Sequence, residues 1–289
     1  MHLRIAEIII AIQSASPDFR IGSDEVTCHF QVDPAKPDSS IRCAWGDLGK
    51  ENDAGEVFAA GDVWQLAFRE GAYRFRFRSP ALGCTPYMIA SFDSDFTSGK
   101  VSLDRRYFDS QQPVYPLQYP LDELLMLHLL AKGRGAEVHA CGMVDPSGHG
   151  HLFLGNSGAG KTTLARLCGR VEGTRVLSDD RIILRRLDSR LWMYGTPWHG
   201  DAELACPDRA PLTRIYFVRH GQGNALVGQK PAHAVGRLFA CCFPLFYSAE
   251  ALAFTLGFFE EVVKAVPCCE LQFLPDARVA DFVLKQDGG

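Results

Sequence analysis

The stretch FLGNSGAGKTTLARL, Phe153 to Leu167, decides how this chain is read. Within it, Gly155-Asn156-Ser157-Gly158-Ala159-Gly160-Lys161-Thr162 fits G-x-x-x-x-G-K-[ST] at every fixed position, and Thr163 follows. Glycines let a backbone turn tightly and aim successive N–H groups into one cavity. A helix that begins just after such a loop adds the positive end of its dipole. Lys161 is spaced to reach the β- and γ-phosphates of ATP, and the Thr162 hydroxyl to hold Mg²⁺. The preceding HLFL reads as a buried strand and the following TTLARLC as a helix, the context this motif requires. Nucleotide binding follows from these residues. Transfer, hydrolysis and sensing all stay open.

Working outward, AEVHACGMVD, PSGHG and HLFL predict strand, tight turn and strand leading into the loop. His139 lies on the first of these strands and by itself reads as a core or edge histidine. Downstream, TRVLSDDRIILRRL and LWMYGTPWHG predict two strands, and RAPLTRIYFVRHG another. Asp179-Asp180 close the short run VLS, eighteen residues beyond Lys161. That length suits a helix and a return strand, which brings both acids to the loop's end of a sheet. Two adjacent carboxylates can divide the work, one toward Mg²⁺ and one toward an acceptor hydroxyl. Beyond them, AVGRLFACCFPLFYSAEALAFTLGFFEEVVKAV predicts helices broken at Pro244, and CCELQFLPDARVADFVLKQ a strand and a short helix.

Upstream, residues 1–119 read as a β-rich region and 120–289 as the nucleotide-binding domain. In AYRFRFRSP, Tyr73, Phe75 and Phe77 alternate with Arg74, Arg76 and Arg78, which predicts a strand with a core face and a solvated charged face. VWQLAFRE and YMIASFD predict neighbouring strands in a meander, and the Pro-, Gly-, Ser- and Asp-rich segment 33–54 predicts loops. PVYPLQYP punctuates the chain before LDELLMLHLLAKGRG, a helix stopped by Gly133-Arg134-Gly135. His128 in that helix reads as a packed residue.

The bulk numbers narrow the class. With 289 residues, 47% of them hydrophobic and 22% charged, the chain can bury a core. A formal net charge of −4 supplies no basic field for nucleic acid or an anionic membrane. No apolar run approaches the ~18 residues of a membrane helix. The short apolar run Ile8 to Ile12, with Glu7 before it, is a poor secretory leader. The ten cysteines include the adjacent pairs Cys241–Cys242 and Cys268–Cys269 and no C-x-x-C. They read as small buried hydrophobes of a reduced, cytoplasmic protein.

Taken together, EVHACGMVDPSGHGHLFLGNSGAGKTTLARLCGRVEGTRVLSDDRIIL resembles the core of the HPr kinase/phosphorylase family, whose fold is related to ATP-dependent phosphoenolpyruvate carboxykinase. The shared features are a histidine on the strand before the loop, the Ser157-Gly158 pair inside it, and a strand ending in Asp-Asp. The lead-in PLDELLMLHLLAKGRGAEVHA and the tail VPCCELQFLPDARVADFVL resemble HPr-kinase-like proteins that are not true HPr kinases. The resemblance spans Pro120 to Leu284. It implies an α/β, mixed-sheet P-loop core, with Asp180 as base on the acceptor side, Asp179 supporting it or the metal, His139 orienting near the phosphate, and Lys161 neutralising the transferred group. It also implies ATP and Mg²⁺ as cofactors and self-association, since HPr kinases form hexamers. The chain departs from the family after the Asp-Asp strand. GTPWHGDAELACPDR stands in place of a Glu-x-Arg-Gly motif, leaving Asp201 or Glu203 as substitutes, and the family's late arginine loop is not recognisable. Trp198 and His199 of PWHG fall where an acceptor pocket or a core plug belongs.

Two functions are carried forward. One is a kinase acting on a hydroxyl of a peptide, a small protein or a small molecule. The other is a nucleotide-binding regulator with little turnover. An unrelated P-loop hydrolase stands third.

Overall fold

Alternation sets the strands and interruption sets the site. The computed structural model describes residues 1–49, 56–156 and 158–285. Its contacts divide the chain into two units, Met1–Leu129 and Leu130–Gly289.

The first unit carries one eight-stranded sheet. Its strands are β1 (His2–Ile5), β2 (Ile8–Ser14), β3 (Ser39–Gly46), β4 (Glu56–Ala60), β5 (Trp64–Arg69), β6 (Ala72–Ser79), β7 (Gly83–Asp93) and β8 (Ser98–Asp104), followed by helix α1 (Leu121–Ala131). The spatial order is β1-β2-β3-β8-β7-β6-β5-β4. From β4 to β8 it is an antiparallel meander, while β3 lies parallel to both β2 and β8. Strand β3 sits inside the segment that composition assigned to loops. Ser39, Ile41 and Cys43 alternate into the core there, and pairing on both sides outweighs the turn-rich flanks. Residues 50–54 of that segment lie outside the described residues. The arginine face of β6 also differs from expectation. Arg76 is 5% exposed, and its register partner Ile89 is buried too, so that face is covered rather than solvated. Helix α1, placed at the start of the second region by the sequence, ends the first unit. Its His128 is buried and stacks on Phe96 with ring centroids 3.9 Å apart.

The second unit runs β9 (Ala136–Val144), β10 (Gly150–Leu154), α2 (Lys161–Cys168), β11 (Arg175–Ser178), β12 (Arg181–Leu187), β13 (Arg190–Gly195), β14 (Arg209–His220), β15 (Ala225–Gly228), α3 (Pro231–Ala240), α4 (Ala249–Ala265), β16 (Cys268–Phe273) and α5 (Arg278–Leu284). Strands β10, β14 and β16 are parallel neighbours, flanked by antiparallel β9 on one side and β15 on the other. Strands β9 and β14 also pair along their first halves with β12 and β13. Alternate residues feed two cores. Leu152, Leu154, Ile215 and Phe217 pack beneath α3 and α4. Phe153, Tyr216 and Val218 pack beneath α2 and α5. The result is a mixed α/β unit with helices on both faces. Cys241, Cys242 and Cys268 pack against the first core and Cys269 belongs to the second, as small hydrophobes. Among the described residues, no helix is long and apolar enough to cross a membrane.

Candidate functional site

Strand β9 changes partners on both edges at the same level. On one edge, β10 ends where Leu154 pairs with Ala140, and the glycine loop leaves the sheet. Below it the segment after α3 takes over, with Cys241 O accepting the His139 N–H at 2.6 Å. On the other edge, β11 ends with Ser178 opposite Gly142, and β12 begins with Arg181 opposite His139. Asp179 and Asp180 fill the gap between those strands. Three stretches of chain, at Leu154, at 178–181 and at Cys241, thus meet around His139. This is also the carboxyl end of the parallel strands, where open α/β sheets form crevices.

The loop has the backbone its sequence requires. Gly158 and Gly160 have φ of 79° and 95°, a region that favours glycine. Gly160 is the N-cap of α2, and its carbonyl accepts the Leu164 N–H at 2.9 Å. A Cβ on Gly155 would lie 2.9 Å from the Ala159 Cβ. Ser157 lies outside the described residues. Lys161 is buried and its Nζ donates to the carbonyls of Gly155 at 2.8 Å and Asn156 at 3.4 Å, which curls the loop around its ammonium. Burial lowers the Lys161 pKa, and nearby Asp180 opposes that shift. Thr162 is half-buried in the first turn of α2, and Thr163 is exposed beside it. His220, at the end of β14, donates to the Gly158 carbonyl at 3.1 Å from the far side.

The two aspartates differ sharply. Asp179 is 2% exposed and its carboxylate is occupied by backbone. Oδ1 accepts the N–H groups of Gly200 at 3.0 Å and Leu204 at 3.3 Å, and Oδ2 that of Ala202 at 2.9 Å. The sequence reading gave Asp179 a share of the metal or the base. Its geometry makes it the anchor of the 200–204 turn instead, as the acceptor for three partly buried N–H groups. Asp201 and Glu203, the substitutes for the missing family glutamate, are exposed on that turn.

Asp180 is the more exposed carboxylate of the pair, half-buried where Asp179 is buried. Its Oδ1 lies 2.8 Å from His139 Nδ1, and its Oδ2 accepts from Arg181 Nη1. Burial pushes its pKa up. The His139 hydrogen bond and the charges of Arg181, His139 and Lys161 together outweigh burial, so the net shift is downward. Arg181 in turn lies 3.6 Å from buried Glu137 and covers the Phe243 ring at 4.2 Å. Glu137 and His139 share one face of β9 at period two, a signal available in the sequence. Arg181 is adjacent to Asp180 and was legible too. Phe243 and Cys241 had no local signal.

Trp198 is core: it is 8% exposed, and its carbonyl accepts the hydroxyls of Ser178 at 3.3 Å and Thr196 at 3.2 Å. His199 donates to the Gly200 carbonyl at 3.0 Å. Neither lines the cleft beside the loop. That cleft has a volume of about 600 Å³ and is bounded by the loop, by the end of β14 and by the end of α3.

Among the described residues, no group of three or more His, Cys, Asp or Glu side chains converges as a metal cage. The Thr162 hydroxyl is a hard oxygen donor, the kind that Mg²⁺ takes alongside water and phosphate oxygens.

No family model matches the sequence, and no curated protein matches it. Among solved structures, the HPr(Ser) kinase/phosphatase from Coxiella burnetii is similar at 12% identity and a TM-score of 0.29, over 52% of this chain and 91% of that one.

Proposed function

We propose that this protein is an ATP-binding, Mg²⁺-dependent phosphotransferase that moves the γ-phosphoryl group to a hydroxyl of a peptide or protein serine, or of a small molecule. The observation that carries the reading is the Asp180–His139 pair at 2.8 Å, set at the strand break beside Lys161 and the glycine loop. The loop amides and Lys161 hold the phosphates and take up the charge that develops on them. Asp180, kept ionised, accepts the hydroxyl proton. The acceptor oxygen then bonds to the γ-phosphorus, the bond from that phosphorus to the β–γ bridging oxygen breaks, and ADP leaves. His139 fixes the orientation of the Asp180 carboxylate. Thr162 would hold Mg²⁺ together with water and phosphate oxygens, and the ion when bound would neutralise phosphate charge. The described cysteines are all free thiols, which supports a reducing cytoplasmic setting.

One observation favours the second reading, a nucleotide-binding regulator with little turnover: Arg181 already engages one oxygen of Asp180. ATP hydrolysis by the purified protein with Mg²⁺, wild type against Asp180→Asn, separates the two. The phosphotransferase reading expects slow hydrolysis that falls roughly 10²–10⁴-fold in the variant while ATP affinity is retained. Tight ATP binding with no turnover in either protein, and none with a pool of hydroxyl acceptors, would establish the regulator.

A further inference from the structure

The cleft beside the loop has a cationic wall that the transfer chemistry above does not use. Arg219 on β14 and Arg237 on α3 both line it. Arg237 is held in place from two sides. Its Nη1 donates to Glu270 Oε2 at 3.0 Å, and its guanidinium lies over the Phe217 ring at 4.3 Å. Arg219 Nη1 lies 3.7 Å from the other oxygen, Oε1, of the same carboxylate. Burial raises the Glu270 pKa, but hydrogen bonds from Gln272 and Arg237 outweigh it, so the carboxylate is ionised. Two guanidinium groups therefore share one negative charge, and one positive charge is left over at the wall. Each guanidinium carries five N–H donors in a planar fork, and Glu270 engages one edge of each. The remaining donors suit a second anion.

Position says which anion. On the phosphotransferase reading the nucleotide phosphates sit on the glycine loop, where Lys161 Nζ lies against the carbonyls of Gly155 and Asn156, and that loop lines the same cleft as the two arginines. The cleft runs from the arginine wall to Cys241, whose carbonyl holds the backbone of His139. His139 in turn pairs with Asp180, so Cys241 connects the arginine-lined cleft to the proposed base through two contacts.

We propose that Arg237 and Arg219 bind an anionic group on the phosphate acceptor, so that the substrate is a hydroxyl compound that also bears a carboxylate or phosphate. This inference rests on the phosphotransferase reading and deepens it. Glu270 and Phe217 position Arg237, and Arg219 supplies the second fork.

The test fills the nucleotide seat first. Protein saturated with Mg²⁺ and the non-hydrolysable analogue AMP-PNP is titrated with inorganic phosphate, followed by phosphorus NMR line width, for wild type, Arg237→Gln and Arg219→Gln. The expected result is a phosphate site in wild type that weakens roughly tenfold or more in Arg237→Gln, with AMP-PNP affinity within about twofold of wild type. Arg219 is the more exposed of the two, so Arg219→Gln serves as the second variant if Arg237→Gln melts early, and the same loss is expected there. Phosphate affinity unchanged in both variants, or no second site in wild type, overturns the proposal. AMP-PNP affinity falling in step with phosphate also overturns it, by giving the arginines to the nucleotide. Failure of wild type to bind AMP-PNP at all sinks the underlying nucleotide reading instead. Glycerate and a serine peptide with flanking acids are then competed against phosphate. Displacement by the first assigns a small acid, displacement by the second an acidic peptide, and displacement by neither overturns the acceptor assignment.

Discussion

The two sheets of this protein use their backbones differently. In residues 1–129, β6 keeps β5 on one side and β7 on the other along nearly its whole length, and β3 likewise stays between β2 and β8. Backbone donors and acceptors are consumed by the ladder, and the apolar side chains of one face pack into a core. Phe75, Phe92, Phe96 and His128 fill the space with ring contacts. In the second unit, β9 exchanges both neighbours at His139, and the displaced segments turn away from the sheet with charged side chains at their ends. Continuous pairing yields a core. Interrupted pairing yields an opening lined by strand ends, and the candidate site is found there.

This contrast can be broken in order of effect. Phe75→Ala removes a fully buried ring from the continuous sheet and should cost about 3–5 kcal/mol of stability, seen as a lower denaturation midpoint. A cost below about 1 kcal/mol would show that the aromatic cluster is not the core of that unit. Lys161→Ala, at the interrupted sheet, should act on binding: Mg²⁺–ATP affinity falls roughly 10²–10³-fold by equilibrium titration, with little change in melting temperature. Unchanged affinity would remove the loop from nucleotide binding.

The neighbouring acids sharpen the comparison within one dipeptide. Asp179→Ala strands three backbone N–H groups and should cost about 2–3 kcal/mol in chemical denaturation. Asp180→Asn should lower the melting temperature less than Asp179→Ala does and act chiefly on turnover. Equal destabilisation by both would erase the division between anchor and base.

The smallest effect is on pH. Burial raises the Asp180 pKa, and His139, Arg181 and Lys161 more than reverse this, so the folded value lies below that of the unfolded chain. The ionised carboxylate, and the stability and turnover that depend on it, are therefore complete above the ordinary aspartate range and lost as pH falls through the depressed folded value. Arg181→Gln removes one lowering charge, so the acid limb of the turnover profile should move to higher pH. A limb that stays in place would mean that another group controls it.

The positive φ of Gly158 and Gly160 and the helix that starts at Lys161 were legible because they are local: glycine spacing fixes them whatever surrounds the loop. The order strand, turn, strand, loop, helix around it was legible for the same reason, from period two giving way to glycine and then to helical spacing. The covered arginine face of β6 was not, since alternation separates the two faces of a strand without saying what lies over either. Strand β3 was hidden by flanking Pro, Ser and Asp, residues that mark turns at its ends and say nothing of the pairing between them.

By itself, then, the sequence placed the glycine loop between a strand and a helix, and the acid pair at the end of a strand beyond it. Only the tertiary structure separated Asp179 from Asp180, moved Trp198 into the core, and brought Arg219, Arg237 and Glu270 to one wall. The physical reason is range. Backbone conformation and periodicity are properties of a few consecutive residues. The role of a carboxylate depends on which N–H groups, cations and strand ends reach it, and those come from chain segments as far apart as His139, Asp180 and Cys241.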